Sequence, residues 1–313
     1  MATANSVSLQ RLIWPALEAL SINVYLRRDD EISSLYSGNK FYKLYYNLKH
    51  AVALDAQAIV SFGGNYSNHL YALAAMGQEL GLQTVGVVRG YEAAALSPTL
   101  KDARSLGMRL FFLGKKDYRS KDISHILPLL NKQYKSLYLI PEGGENLAGV
   151  RGCLAMGRAI ETQMSKRLAD AEYTVCCAVA TGSTFAGLIA ASPRHAKCLG
   201  ISVLKGEDTL VAKVQYWLSL LGVQSSQRWH ICNRYHHGGY AKVSPPLIAF
   251  MRDLETLNNI QLEPVYMAKL LWGIKELATN NYWSGSASIP RKETNLVVIH
   301  SGGLQGRRGF NLD

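Results

Sequence analysis

Between Ala51 and Pro141 the chain repeats one device: a short apolar run, a turn, then a helical pattern. Ala58 to Phe62 is apolar and bounded by Gly63-Gly64, as a buried strand requires. Ser67 to Leu80 is rich in alanine and leucine and stops at Gly81, a residue suited to the position after a helix. Thr84 to Val88 reads as the next strand. Ser97-Pro98 supplies a cap and a first-turn proline to a helix that closes near Gly107. Leu110 to Leu113 is a strand, Ser124 to Lys135 a helix with Pro128 near its first turn, and Leu137 to Ile140 a strand stopped by Pro141. The series β-α-β-α-β-α-β predicts a parallel sheet joined by right-handed crossovers.

The flanking sequence reads as a second unit of the same kind. Val7 to Ala19 is an expected entry helix and Ile22 to Leu26 a strand, ending in Arg27-Arg28-Asp29-Asp30. Further on, Val150 to Leu168 is a long helix. Strands are expected at Thr174 to Ala180, Lys197 to Leu204, Arg228 to Tyr235 and Asn295 to His300. Helices are expected at Thr184 to Ala191, Thr209 to Leu221, Ser244-Pro245 to about Asn258, and from Pro264 onward. The fold class is therefore α/β, with two open, twisted, mainly parallel sheets.

Composition narrows the function. Of 313 residues, 48% are hydrophobic and 18% charged, which suits a globular core and excludes disorder. The uncharged stretch from Tyr173 to Pro193 is long enough for a membrane span, but Thr181 to Thr184 interrupt it, so no membrane association is expected. The first ten residues lack an apolar segment of the signal-peptide kind. Five cysteines at irregular spacing show neither a disulfide framework nor zinc spacing, and reduced core thiols point to the cytoplasm. The net charge of +11 would suit nucleic acid, yet the basic residues are scattered, so an anionic cofactor and a carboxylate substrate suit it equally. The adjacent His236 and His237, read as strand neighbours, face opposite ways and make no metal site.

Three stretches carry chemistry. Ser37-Gly38-Asn39-Lys40-Phe41-Tyr42-Lys43 sets a lysine after a Gly-Asn turn, at a helix start that is a poor place for an ordinary cation. Gly63-Gly64-Asn65-Tyr66-Ser67-Asn68-His69 is a hydroxyl-rich strand-to-helix turn. Thr181-Gly182-Ser183-Thr184 follows a buried strand and opens a helix, where N–H groups, hydroxyls and the helix dipole favour an anion. It has no P-loop lysine and no dinucleotide glycine spacing, so a single phosphate fits better than a pyrophosphate. Together they suggest a phosphorylated aldehyde cofactor held through a lysine Schiff base.

With Gly239-Tyr240, Pro264-Val265-Tyr266 and His300-Ser301-Gly302-Gly303 in the same order, these motifs resemble the family of 1-aminocyclopropane-1-carboxylate deaminase and D-cysteine desulfhydrase. The resemblance runs from residue 37 to 303. It implies the tryptophan synthase β-like fold of pyridoxal-phosphate enzymes (fold type II). It implies a large cofactor-binding domain of residues 1–51 and 148–313, a small inserted domain of 52–147, and a cofactor bound between them in a homodimer. By resemblance Lys40 is the Schiff-base lysine and proton carrier, and Lys43 a nearby cation that favours its neutral amine. Ser67, Asn68 and His69 would grip the substrate carboxylate, with the Asn68 amide near the cofactor's 3′-oxygen. Thr181, Gly182, Ser183 and Thr184 would hold the phosphate. Tyr266 would stack on the pyridine ring, and Tyr240 would lie near the reacting group as an acid or relay.

One departure from the deaminase branch bears on the chemistry. That branch has a glutamate after the stacking tyrosine, facing the pyridine nitrogen. Here the residue is Met267, and Ser301 supplies the hydroxyl found in the desulfhydrase branch. A hydroxyl makes a weaker electron sink than a carboxylate-held pyridinium. This favours β-elimination on a small D-amino acid over cyclopropane opening, which stands as the alternative. The stretch Tyr235-His236-His237-Gly238 matches neither branch. A further alternative is a basic binding protein that kept the fold and lost catalysis.

Overall fold

The computed structural model describes residues 3–93, 95–168, 171–206, 209–223, 228–283, 293–310 and 312. They form two compact units: Met1–Ile32 with Cys153–Leu304, and Ser33–Gly152 with Gln305–Asp313. The sequence reading divided the chain at 51/52 and 147/148, so the helix Asn39–Ala53 is the main element assigned differently by the compact units.

In chain order the strands are β1 (Leu9–Arg11), β2 (Ile22–Arg27), β3 (Ala58–Gly63), β4 (Gln83–Arg89) and β5 (Arg109–Leu113), then β6 (Leu137–Ile140), β7 (Tyr173–Val179), β8 (Ala196–Ser202), β9 (Trp229–Cys232) and β10 (Thr294–Ile299). The first unit holds a six-stranded sheet, β1-β2-β10-β7-β8-β9, parallel except for β1. The second holds a four-stranded, fully parallel sheet, β5-β4-β3-β6. Parallel sheets are covered on both faces, and β3 and β7 are accordingly buried along their whole length. On one face of the four-stranded sheet Val60, Phe62, Val85 and Val87 pack against Tyr118, Ile126 and Leu130. On the other, Gly63 lets the helix Asn68–Glu79 approach, since a Cβ there would crowd Leu70, and Gly86 leaves room for Met108.

Three expectations are corrected. The entry helix from Val7 to Ala19 is instead β1, antiparallel to β2, followed by the short helix Pro15–Glu18. Pro15 lacks the N–H that a continuous helix would need there, and Leu12 donates its N–H to the Val24 carbonyl at 2.8 Å. The helix from Ser124 to Lys135 shrinks to Leu127–Asn131, with Pro128 in its first turn, and a helix Lys115–Ser120 precedes it. The strand from Arg228 to Tyr235 stops at Cys232. His237 and Ala241 have φ of 51° and 55°, and Gly238 and Gly239 are also left-handed, so 237–241 cannot continue a strand. The two histidines therefore sit in a loop, where His236 Nδ1 accepts from Gly238 N at 3.0 Å and His237 Nδ1 lies 3.0 Å from Ser244 Oγ.

Candidate active site

In the second unit, Lys40 is the second residue of the helix Asn39–Ala53. Gly38 caps that helix with φ 69° and ψ −154°, a backbone state open to glycine, and no side chain caps the helix. Lys40 is half-buried and its Nζ donates to Asn39 Oδ1 at 3.3 Å. Lys43, one turn on, is buried. The helix is fixed from behind by Gly152, where a Cβ would strike the Tyr42 carbonyl oxygen.

Ser67 caps the helix Asn68–Glu79, its Oγ accepting from Leu70 N at 3.2 Å. Gly63 is required beside it, because a Cβ would stand 2.6 Å from Ser67 Cβ and 2.8 Å from Leu70 Cγ. His69, in the first turn, is buried against the sheet. Ser61 Oγ donates to the Ile140 carbonyl at 2.8 Å and lies 2.8 Å from His69 Nε2. A hydroxyl has one proton, so Nε2 is the donor and Nδ1 carries the lone pair. Burial, followed by the positive charges of Lys40 and Lys43, holds this imidazole well below its usual pKa of 6.5. His69 is thus a neutral acceptor, and Nδ1 has no hydrogen-bond partner in the protein. Asn68 Oδ1 accepts from Gln305 Nε2 at 2.9 Å. Lys40, Lys43, Ser67, Asn68 and His69 all lie in this unit.

The other candidates lie in the first unit. β7 ends at Val179, and the helix Ser183–Ala191 begins after Gly182, whose φ is 85°. A Cβ on Gly182 would meet Val214 Cγ2 at 3.0 Å. No side chain caps this helix, Thr181 Oγ1 lies 3.1 Å from Ser183 Oγ, and Ser183 and Thr184 are buried. A strand-to-helix turn with two hydroxyls and a glycine at the helix entry suits a phosphate.

Tyr266 precedes the helix Met267–Thr279 and meets Tyr240 edge-on, with ring centroids 6.3 Å apart at 68°. Two residues absent from the sequence reading hold this pair. Buried Glu263 accepts the N–H of Val265 and of Tyr266, each at 2.7 Å. Burial pushes its carboxyl up to about 7, against the pull of backbone N–H groups and Lys269. Lys269, also buried, donates to the Gly239 carbonyl at 2.7 Å, and burial brings it down to about 8. An acid followed by proline at a helix start was a readable signal for Glu263. Nothing in the sequence pairs Lys269 with Gly239. Met267 is fully buried, so no carboxylate stands at that position.

The residues fit pyridoxal phosphate on one observation in particular: the Ser301 hydroxyl is buried with no hydrogen-bond partner in the protein. An orphaned buried hydroxyl costs free energy unless something bonds to it, and a pyridine nitrogen is such a group.

Comparison with known proteins agrees. The chain is 30% identical over 300 residues to the mitochondrial bifunctional D-cysteine desulfhydrase/1-aminocyclopropane-1-carboxylate deaminase of Arabidopsis thaliana, covering 90% of this chain and 73% of that protein. It is 24% identical over 298 residues to a D-cysteine desulfhydrase of Klebsiella pneumoniae, covering 91% and 88%. The crystal structure of an ACC deaminase homologue superposes with a TM-score of 0.81 at 27% identity, over 96% of this chain and 90% of that one. The family model described as pyridoxal-phosphate dependent enzyme matches residues 8–302, and the chain belongs to that family.

Proposed function

We propose that this chain is a pyridoxal-phosphate-dependent lyase that eliminates thiolate from a small D-amino acid such as D-cysteine. The net reaction takes D-cysteine and water to pyruvate, ammonia and hydrogen sulfide. The observation that carries this reading is the pairing of a fully buried Met267 with a buried, unpartnered Ser301 hydroxyl. The cofactor supplies the electron sink that acidifies the substrate's α-hydrogen. Lys40 would anchor its aldehyde, and the same Nζ would take the substrate's α-proton. Ser67 and the N–H groups at the start of Asn68–Glu79 bind the substrate carboxylate, with the positive end of the helix dipole behind them. Thr181 to Thr184 bind the phosphate. Tyr266 would hold the ring, and Tyr240, whose ring meets that of Tyr266, would return or relay a proton. We further propose that the protein acts as a homodimer, as the resemblance implies, and in the cytoplasm, as its cysteines suggest. Its five cysteines are buried thiols outside any disulfide, which agrees with a reducing compartment.

Cyclopropane opening is the second reading, supported by the bifunctional relative at 30% identity. Product analysis separates the two. Sulfide and pyruvate in equal amounts from D-cysteine, and no 2-oxobutanoate from 1-aminocyclopropane-1-carboxylate, are expected. The opposite pattern overturns the proposal.

A further inference from the structure

Asn68 and Gln305 are 237 residues apart in sequence, yet they meet in one compact unit. Gln305 belongs to the turn Leu304–Gly309, which bears on the loop before the helix Asn68–Glu79. Arg308 forms an ion pair with Asp102, and its Nε donates to the Gln305 carbonyl at 3.1 Å. Gly309 lies against the Tyr66 ring so closely that a Cβ there would stand 2.9 to 3.2 Å from three ring atoms. A Cβ on Gly306 would stand 3.7 Å from Asn68 Oδ1. The turn is therefore held in place beside Tyr66 and Asn68, the neighbours of Ser67.

A primary amide offers one oxygen as acceptor and one NH2 as donor. Gln305 Nε2 donates to Asn68 Oδ1 at 2.9 Å, so the polar atom that Asn68 keeps for a ligand is Nδ2. We propose that Gln305 is a positioning residue: it turns the Asn68 amide so that the NH2 is presented as a donor to the 3′-oxygen of the bound cofactor. This rests on the reading of Asn68 given above. The 3′-oxygen carries negative charge when the cofactor is bound, so a donor attracts it and an amide oxygen repels it.

The test replaces Gln305 by groups of different hydrogen-bonding sense. Gln305→Lys keeps a donor, Gln305→Met removes the group, and Gln305→Glu offers only acceptors, which forces the Asn68 NH2 to turn toward residue 305. Apoprotein is titrated with pyridoxal phosphate, and the dissociation constant is read from the bound cofactor's absorbance. The lysine variant is expected within about twofold of wild type. The methionine variant should bind roughly tenfold more weakly, and the glutamate variant at least about tenfold more weakly again. The bound band of the glutamate variant should also titrate at higher pH, because its 3′-oxygen lacks a donor. Apoprotein melting temperatures report folding separately, and the lysine–methionine comparison suffices if the glutamate variant does not fold. A glutamate variant that binds as wild type does, or methionine and lysine variants that bind alike, overturns the inference alone. A wild-type protein that takes up no cofactor overturns the functional reading with it.

Discussion

The hydroxyl of Ser61 ties His69 to the sheet: it receives the Nε2 proton at 2.8 Å and passes its own to the Ile140 carbonyl at 2.8 Å. Ser61 and Ile140 are register partners on β3 and β6, so the imidazole is held by the edge-to-centre pairing of the sheet itself. Ser61→Ala leaves a buried N–H without a partner and is expected to cost about 1–3 kcal/mol in urea unfolding. The folded pKa of His69 lies well below 6.5. The unfolded chain therefore takes a proton near pH 6.5 that the folded chain refuses, and stability is lost as pH falls below that value. His69→Gln should remove that part of the acid sensitivity. An unchanged acid limb in the variant would mean that His69 titrates normally.

Ser301→Ala should separate stability from activity. The wild-type hydroxyl is buried and unpartnered, so its removal costs the apoprotein nothing and can stabilise it by about 1 kcal/mol. On the proposed role of this hydroxyl as the partner of the pyridine nitrogen, the elimination rate should nevertheless fall about tenfold or more. A destabilised apoprotein would show that the hydroxyl has a structural partner.

Glu263 makes stability fall with rising pH. Its folded pKa of about 7 exceeds the ordinary 4.5, so between these values the folded chain keeps a proton that the unfolded chain has released. The stabilisation is complete below 4.5 and is lost as pH rises through 7. Lys269, brought down from 10.5 to about 8, works above that window and in the opposite sense, adding stability as pH rises from 8 to 10.5. Glu263→Gln should flatten the slope between 4.5 and 7. It should also cost about 1–3 kcal/mol at pH 5, because an amide NH2 must replace one of two acceptors facing Val265 N and Tyr266 N. Urea midpoints across pH 4.5 to 7.5 check both.

Gly152→Ala should do damage at a distance. The added Cβ would strike the Tyr42 carbonyl and push away the helix that carries Lys40 and Lys43. A loss of about 2 kcal/mol or more is expected from the overpacking, together with weaker cofactor uptake. Uptake at the wild-type level would show that the helix adapts.

Much of this was legible from residue types. β3 to β6 fall within about two residues of the apolar runs that announced them, because each run is bounded by glycine, proline or charge. Ser97 and Ser244 cap helices as the prolines after them indicate, and Ser67, read as the first residue of its helix, is the cap of Asn68–Glu79. The helix Lys115–Ser120 was not readable, since Tyr118 is its one buried side chain and no apolar period exists. The N-terminal segment misled because its apolar residues serve β1 and a separate helical turn. At the site, Lys40 and the turn at Gly182 could be read locally. Gln305 with Asn68, Lys269 with Gly239, and Ser61 with His69 could not, because each bond joins residues whose neighbourhood is made by the fold.

The position of β10 in the six-stranded sheet has a consequence for how the protein is made. It lies between β2 and β7, and Asn23 bonds across to Asn295, 272 residues away. A ribosome-bound chain that has emerged only through Trp283 holds β2 and β7 with open edges and no strand to join them. The four-stranded sheet needs nothing beyond β6 and can assemble during synthesis. The six-stranded sheet must wait for the strand at its centre, so it completes slowly and late, through contacts of very high order. Refolding from denaturant should accordingly show two phases, the faster one belonging to the unit that contains Lys40.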